Sequence, residues 1–271
     1  MPPAVSEWSN LILRVIHVFT AVLWIGQTYY FTKLDQRLRH EEEAVSTSGG
    51  TAQVWQVHSG GFFIAERQST PKLLPSKLHW FRYEALLTWI SGFLLLGLLY
   101  YSDGLLLDSS VSQITMGTGV AIGIGTLVIG WLVYDLLWSS PLARLPLVAG
   151  AISYLLVVAL IYALTHLLSG RAAYIHIGAL FGTIMTANVW ARILPASRNM
   201  LNAVKEGRQP DMTLGERAKA RTHHNTYMTI PLIFLMVSNH FPGTYGSSYN
   251  WQILSVLILV GGVAAKLIYY S

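Results

Sequence analysis

The chain has 271 residues, of which 53% are hydrophobic and 11% charged, with a formal net charge of +5. Its mean hydropathy of +0.46 and sparse charge point to a polytopic helical membrane protein, because soluble domains carry about 25% charged residues. The absence of cysteine excludes disulfides, thiolate metal sites, iron–sulfur clusters and a covalently attached c-type haem.

The N-terminal stretch MPPAVSEWSN lacks the basic region of a cleaved signal, so the first helix reads as a retained span. Seven apolar segments reach or approach the length that crosses about 30 Å of hydrocarbon: 9–32, 80–102, 114–138, 145–168, 172–194, 226–242 and 251–270. The first carries Arg14 and His17 among apolar neighbours, and ionisable groups at that depth are functional candidates. Residues 34–78 then form a long loop. Its HEEEAVSTSGG tract reads as flexible, and VWQVHSGGFFIAE reads as packing back on the membrane face. The second span opens with HWFRY, placing His79 and Arg82 at its start and Glu84 just inside. The Gly-rich run of the third span has small-x-x-x-small spacing for close helix contact, and Asp135 lies near its end. Arg171 immediately precedes the fifth span, which holds His176 and Asn188. Residues 195–225 are expected to contain surface helices at 196–206 and 213–223, the second started by a Thr213-x-x-Glu216 capping box. His223, His224 and Asn225 lead into the sixth and shortest segment, which contains Pro231, Asn239 and His240.

Basic residues fix the orientation. The loops after the first and fifth spans carry Lys33, Arg37, Arg39, Arg67, Lys72, Lys77, Arg198, Lys205, Arg208, Arg217, Lys219 and Arg221, whereas the opposite side offers Asp103 and Asp108 with only Arg171 as a base. The expectation is a single all-α membrane bundle over 1–271, with the N-terminus outside, the C-terminus cytoplasmic, and 34–78 and 195–225 as cytoplasmic loops.

The nine histidines sort by depth on this topology. His17, His166, His176 and His240 lie toward the outer side, and His79, His223 and His224 lie at inner helix ends. His40 and His58 lie in the first loop. Two layers of helix-borne imidazoles are what one or two b-type haems require. A parallel internal repeat would set His17 opposite His176 and His79 opposite His223, with Arg14, Arg82 and Arg171 as propionate partners. The competing reading of each histidine is a structural hydrogen bond, and His224 competes with His223 for any ligand role. Glu84 and Asp135 are proton-acceptor candidates, or members of ion pairs with neighbours such as Arg82 or Arg144.

The motifs HVFTAVLWIGQTYYFTKLD, GGFF, LHWFRYEALLTWISGF, GWLVYDLLWSSPL, THLLSGRAAYIHIGALFGTIMTANVW and HHNTYMTIPLIFLMVSNHFP together resemble the membrane domain of the bacterial membrane-bound urate hydroxylase (urate oxidase) family, in the same order over nearly the whole chain. The first stretch more weakly resembles the opening helix of the membrane-bound protoporphyrinogen oxidases, whose histidine is associated with haem b. The resemblance implies a haem b oxidoreductase of the bacterial inner membrane that oxidises urate. It also implies a c-type cytochrome as acceptor; the family's usual further span and C-terminal cytochrome c domain are missing from the sequence, so either the cytochrome is a separate protein, or this member has another role, or the chain is a fragment. Asn188, Asn225, Asn239, His240 and Arg171 are the candidates to recognise a planar anion, with Asn239, His240 and Glu84 as catalytic candidates. The alternative is a b-type cytochrome subunit of a larger respiratory or photosynthetic complex that handles quinol.

Overall fold

The computed structural model describes residues 3–45, 51–68 and 78–270. The first helix, α1 (Pro3–Val45), is followed by a hairpin of β1 (Gln53–His58) and β2 (Gly61–Glu66). Then come α2 (Tyr83–Leu96), which continues as a π-helical turn (Gly97–Ser102), α3 (Met116–Ser139), and α4 (Pro146–Leu167). Next, α5 (Gly170–Ala187) runs through a second π turn (Asn188–Ile193) into α6 (Leu194–Lys205). The chain closes with α7 (Met212–Val237), a 3-10 turn (Ser238–His240), the short α8 (Pro242–Tyr245) and α9 (Asn250–Tyr270). The expected helical bundle is present. Among the described residues six helical runs are long and apolar enough to cross a membrane. The sixth expected segment is the apolar half of α7.

Three expectations about helix ends are corrected. α1 continues through most of HEEEAVSTSGG, so 34–45 is helix, not loop; at about 1.5 Å per residue, 43 residues extend well beyond hydrocarbon thickness. The remaining residues of that tract, 46–50, lie outside the described residues, as do Lys72 and Lys77. The surface helix expected at 213–223 and the sixth span are one rod, α7. Its cap is Asp211, whose carboxylate accepts from the Thr213 N–H at 2.9 Å, in place of the Thr213/Glu216 box. Likewise α6 is not separate from the fifth span, because the helix continues through the π turn and across Pro195.

The two strands pair antiparallel through a tight turn in which Ser59 and Gly60 both take positive φ, 49° and 77°, the signature of a two-residue hairpin turn. The hairpin is tied to α1 by Tyr30, which donates to Gln56 Oε1 at 2.7 Å, and by Arg67, which bridges Asp35 and Glu42. The cross-strand pairs Trp55/Ile64 and Val57/Phe62 share one face, and all four are exposed.

α5 is the axis of the bundle. Half of its apolar window is buried, whereas only 6% of that of α1 is. Ala172, Ala173 and Gly178 keep it slender, so α2, α3, α4 and α7 all pack on it, as small residues allow in membranes. α1 packs mainly on α2 and turns Leu11, Val15, Val18, Phe19 and Val22 outward. Pro231 inside α7 is accommodated where Gly261 of α9 faces it. A Cβ at Gly261 would lie 3.1 Å from the proline ring.

Candidate functional site

Two polar clusters are built into the bundle, and each is organised by a π turn. A π turn adds a residue to the helical ladder, re-aims side chains, and often marks a functional position. At the end opposite the basic loops, the Gly97–Ser102 turn directs adjacent tyrosines to different partners. Tyr100 is 2% exposed and donates to Asn239 Oδ1 at 3.1 Å, and Arg171 Nε donates to the same oxygen at 3.0 Å. Tyr101 meets His176 Nε2 at 3.1 Å. The His176 Nδ1–H donates to Ala172 O at 2.8 Å, which in a neutral imidazole leaves Nε2 to accept from the tyrosine. Arg14 acts electrostatically on Tyr100 together with Arg171. Among the described residues neither arginine has a carboxylate within 4.0 Å. Arg14 donates to Asn10 at 2.6 Å. Two guanidiniums with no carboxylate partner among the described residues, an amide and a phenol gather at this end, a chemistry suited to a planar anion.

At the basic end, the Asn188–Ile193 turn carries Asn188, fully buried, and Arg192. Asp135 pairs with Arg192 and with Arg221 Nη2, 3.1 Å away, correcting the expected pairing with Arg82 or Arg144. Arg221 also donates to Ser139 Oγ at 3.0 Å and stacks over the Tyr134 ring at 5.1 Å. Asn188 Nδ2 donates to Tyr134 Oη at 3.0 Å and to Asn225 Oδ1 at 2.9 Å, and Asn225 donates to Met185 O. Tyr134 in turn contacts His224 Nδ1 at 2.8 Å. Asn188 Oδ1 and Arg221 Nη1 are buried without a hydrogen-bond partner among the described residues.

The expected haem ligands each have contacts of their own. His17 Nδ1 lies 2.9 Å from Thr88 O and 3.2 Å from Ser91 Oγ on α2. Its ring lies where a Cβ of Gly92 would stand, 2.8 Å from Cε1. His176 is fully buried with both nitrogens bonded, and its Nε2 lies 2.6 Å from the Cβ position of Gly123 on α3. His79 is exposed and rests edge-on against Phe81. His223 Nε2 meets Tyr269 Oη at 2.8 Å. His176 thus has both ring nitrogens engaged, and each of the others meets a different neighbour. Among the described residues, no group of three or more His, Asp or Glu could hold a metal ion. Arg82 stacks on Tyr83 and Trp190, while its Nε and Glu84 Oε2 are buried without partners. His240 is exposed on the 3-10 turn next to Asn239.

The sequence reading missed Tyr100, Tyr101, Tyr134 and Arg192 as members of these clusters. No local signal marks a π turn, and the partners of these residues come from remote segments.

A sequence model of the family described as Urate oxidase N-terminal matches residues 3–270. No curated protein matches the chain significantly, and no solved structure does. The match covers nearly the whole sequence, and the chain belongs to the urate oxidase N-terminal family.

Proposed function

We propose, from membership in the urate oxidase N-terminal family, that this multi-pass membrane domain oxidises urate in the bacterial inner membrane and passes the electrons to a separate c-type cytochrome. The observation that supports this most is the convergence of Arg171 and Tyr100 on Asn239, with Arg14 close by, at the end opposite the basic loops. Urate is a planar monoanion with carbonyl acceptors and ring N–H donors. In this reading Arg171 and Arg14 balance its charge, Asn239 presents its free amide edge, and Tyr100 sets the position of that amide.

Hydroxylation of the purine by water releases two electrons and two protons, so a one-electron carrier must be reduced twice per turnover. His240, exposed beside Asn239, is the nearest titratable group on that turn to take a proton. A bound haem b would supply one-electron chemistry, with His17, His176, His79 and His223 as the candidate ligands, and no step here depends on it.

The test is urate-dependent reduction of a c-type cytochrome by purified protein in nanodiscs, alongside Arg171→Gln and Asn239→Ala. Loss of one charge-assisted contact removes about 1.5–3 kcal/mol of binding. The expected result is therefore a rise in KM of about 10- to 100-fold in Arg171→Gln, with folding intact. Wild-type protein that neither binds urate nor reduces the cytochrome would overturn the proposal.

A further inference from the structure

A cavity of about 790 Å³ runs between α3, α4, α5, α7 and α9, apart from the anion cluster. It follows α3 from Thr118 to Trp138, about 30 Å at 1.5 Å per residue. Its floor is apolar, formed by Leu180 and Ile184 of α5 and Ile258 of α9. Its rim includes Ile129, Val133 and Leu156, which are 62%, 41% and 45% exposed, so the groove opens sideways toward lipid where α3 and α4 make few contacts.

One end is polar. Tyr134 Oη accepts from Asn188 Nδ2 at 3.0 Å and lies 2.8 Å from His224 Nδ1. In the arrangement where the phenol gives its one proton to Nδ1, the hydrogen of the neutral imidazole sits on Nε2. His224 lines the cavity, and among the described residues no group accepts from Nε2. Trp138 covers the imidazole with ring centroids 4.0 Å apart. The combination is one N–H donor at the head of a long apolar slot that is open to the bilayer. A metal ligand needs the opposite tautomer, with Nδ1–H donating outward and the Nε2 lone pair free. A phospholipid headgroup needs a cation in the groove, and neither Arg192 nor Arg221, both paired with Asp135, lines it.

We propose that this groove binds a long-tailed quinone, with a ring carbonyl accepting from His224 Nε2 and the isoprenoid tail lying along α3. The site is independent of the urate reading, and its test uses no urate.

Quenching of tryptophan fluorescence is titrated in nanodiscs with ubiquinone-10 and with the short-chain decylubiquinone. Trp138 beside the head site is the expected reporter, and Trp138→Phe is expected to lose most of the quench. His224→Phe keeps the ring and removes the donor, and should weaken both quinones about tenfold. Gly125 and Gly262 line the groove where an added side chain meets open space, with the nearest neighbour of a Gly125 Cβ, Ile129 Cδ1, at 3.9 Å and none within 4 Å for Gly262. The first carbon of a side chain meets no clash at either position, and Gly125→Leu and Gly262→Leu should weaken ubiquinone-10 about tenfold while sparing decylubiquinone. Quenching that is unsaturable, or equal in all variants, would overturn the proposal. So would a haem absorbance lost in His224→Phe, which would give the groove to a porphyrin, or a retained phospholipid that quinone does not displace.

Discussion

Neutralising Asp135 tests how the basic-end cluster is held. Asp135 is 7% exposed and Arg221 6%, while the Arg192 side chain is 46% exposed. Asp135→Asn leaves the Arg221 guanidinium buried with a neutral amide in place of its counter-ion. Breaking a buried pair from one side costs about 3–5 kcal/mol. The outer partner is worth far less, because a pair with one half-exposed member contributes about 0–1 kcal/mol. Replacing both buried charges, as in Asp135→Leu with Arg221→Met, removes the stranded charge and should recover most of the loss. Thermal unfolding of the purified variants in one detergent should therefore rank wild type and Arg192→Gln together, the double variant slightly below, and Asp135→Asn far below. A loss of about 3 kcal/mol lowers the folding constant by about two orders of magnitude. The reasoning is refuted if Asp135→Asn melts with the wild type, or if Arg192→Gln is as damaging as Arg221→Met.

Other consequences follow from the same geometry. A methyl group at Gly123 would stand 2.6 Å from both His176 Nε2 and Tyr101 Oη. Gly123→Ala should therefore break that hydrogen bond and cost about 1–3 kcal/mol through overpacking, whereas Gly125→Ala, in open space, should melt within 1 kcal/mol or so of wild type. Because the chain has no cysteine, Ser110→Cys and Arg208→Cys report topology cleanly. An impermeant maleimide should label the first in intact cells and the second only after lysis, as the distribution of basic loops demands. The Asp211 carboxylate is held below its ordinary value of 3.8 by hydrogen bonds from the Thr213 hydroxyl and amide. A depressed carboxylate stabilises the fold above its unfolded pKa and loses that contribution as pH falls through its folded value. Exchange protection of the first turn of α7 should then fade only below about pH 4, and be absent throughout in Asp211→Ala.

The spans were legible because hydropathy sums over some 20 neighbouring residues, and neighbours in sequence are neighbours along a helix. That sum located the bundle and its basic end before any contact was known. The continuation of α1 through HEEEAV and of α7 across the membrane boundary was not legible, since polar helical sequence carries no signal for where water begins. The histidine layers show the limit more sharply. Depth along a helix follows from counting residues, but partnership depends on rotation about the helix axis and on which helix packs there. His223 and His224 are adjacent in sequence and about 100° apart on the helix; one meets Tyr269 of α9 and the other Tyr134 of α3. His17 and His176 share an expected depth, yet one leans on α2 and the other is enclosed by α3 and Tyr101. Sequence alone thus determined that ionisable and amide groups sit within an apolar bundle. Packing determined that they gather as an Arg171–Asn239–Tyr100 cluster at one end and an Asp135–Arg221–Asn188–His224 cluster toward the other, because burial leaves each polar atom only the partners that helix rotation and the π turns bring within reach.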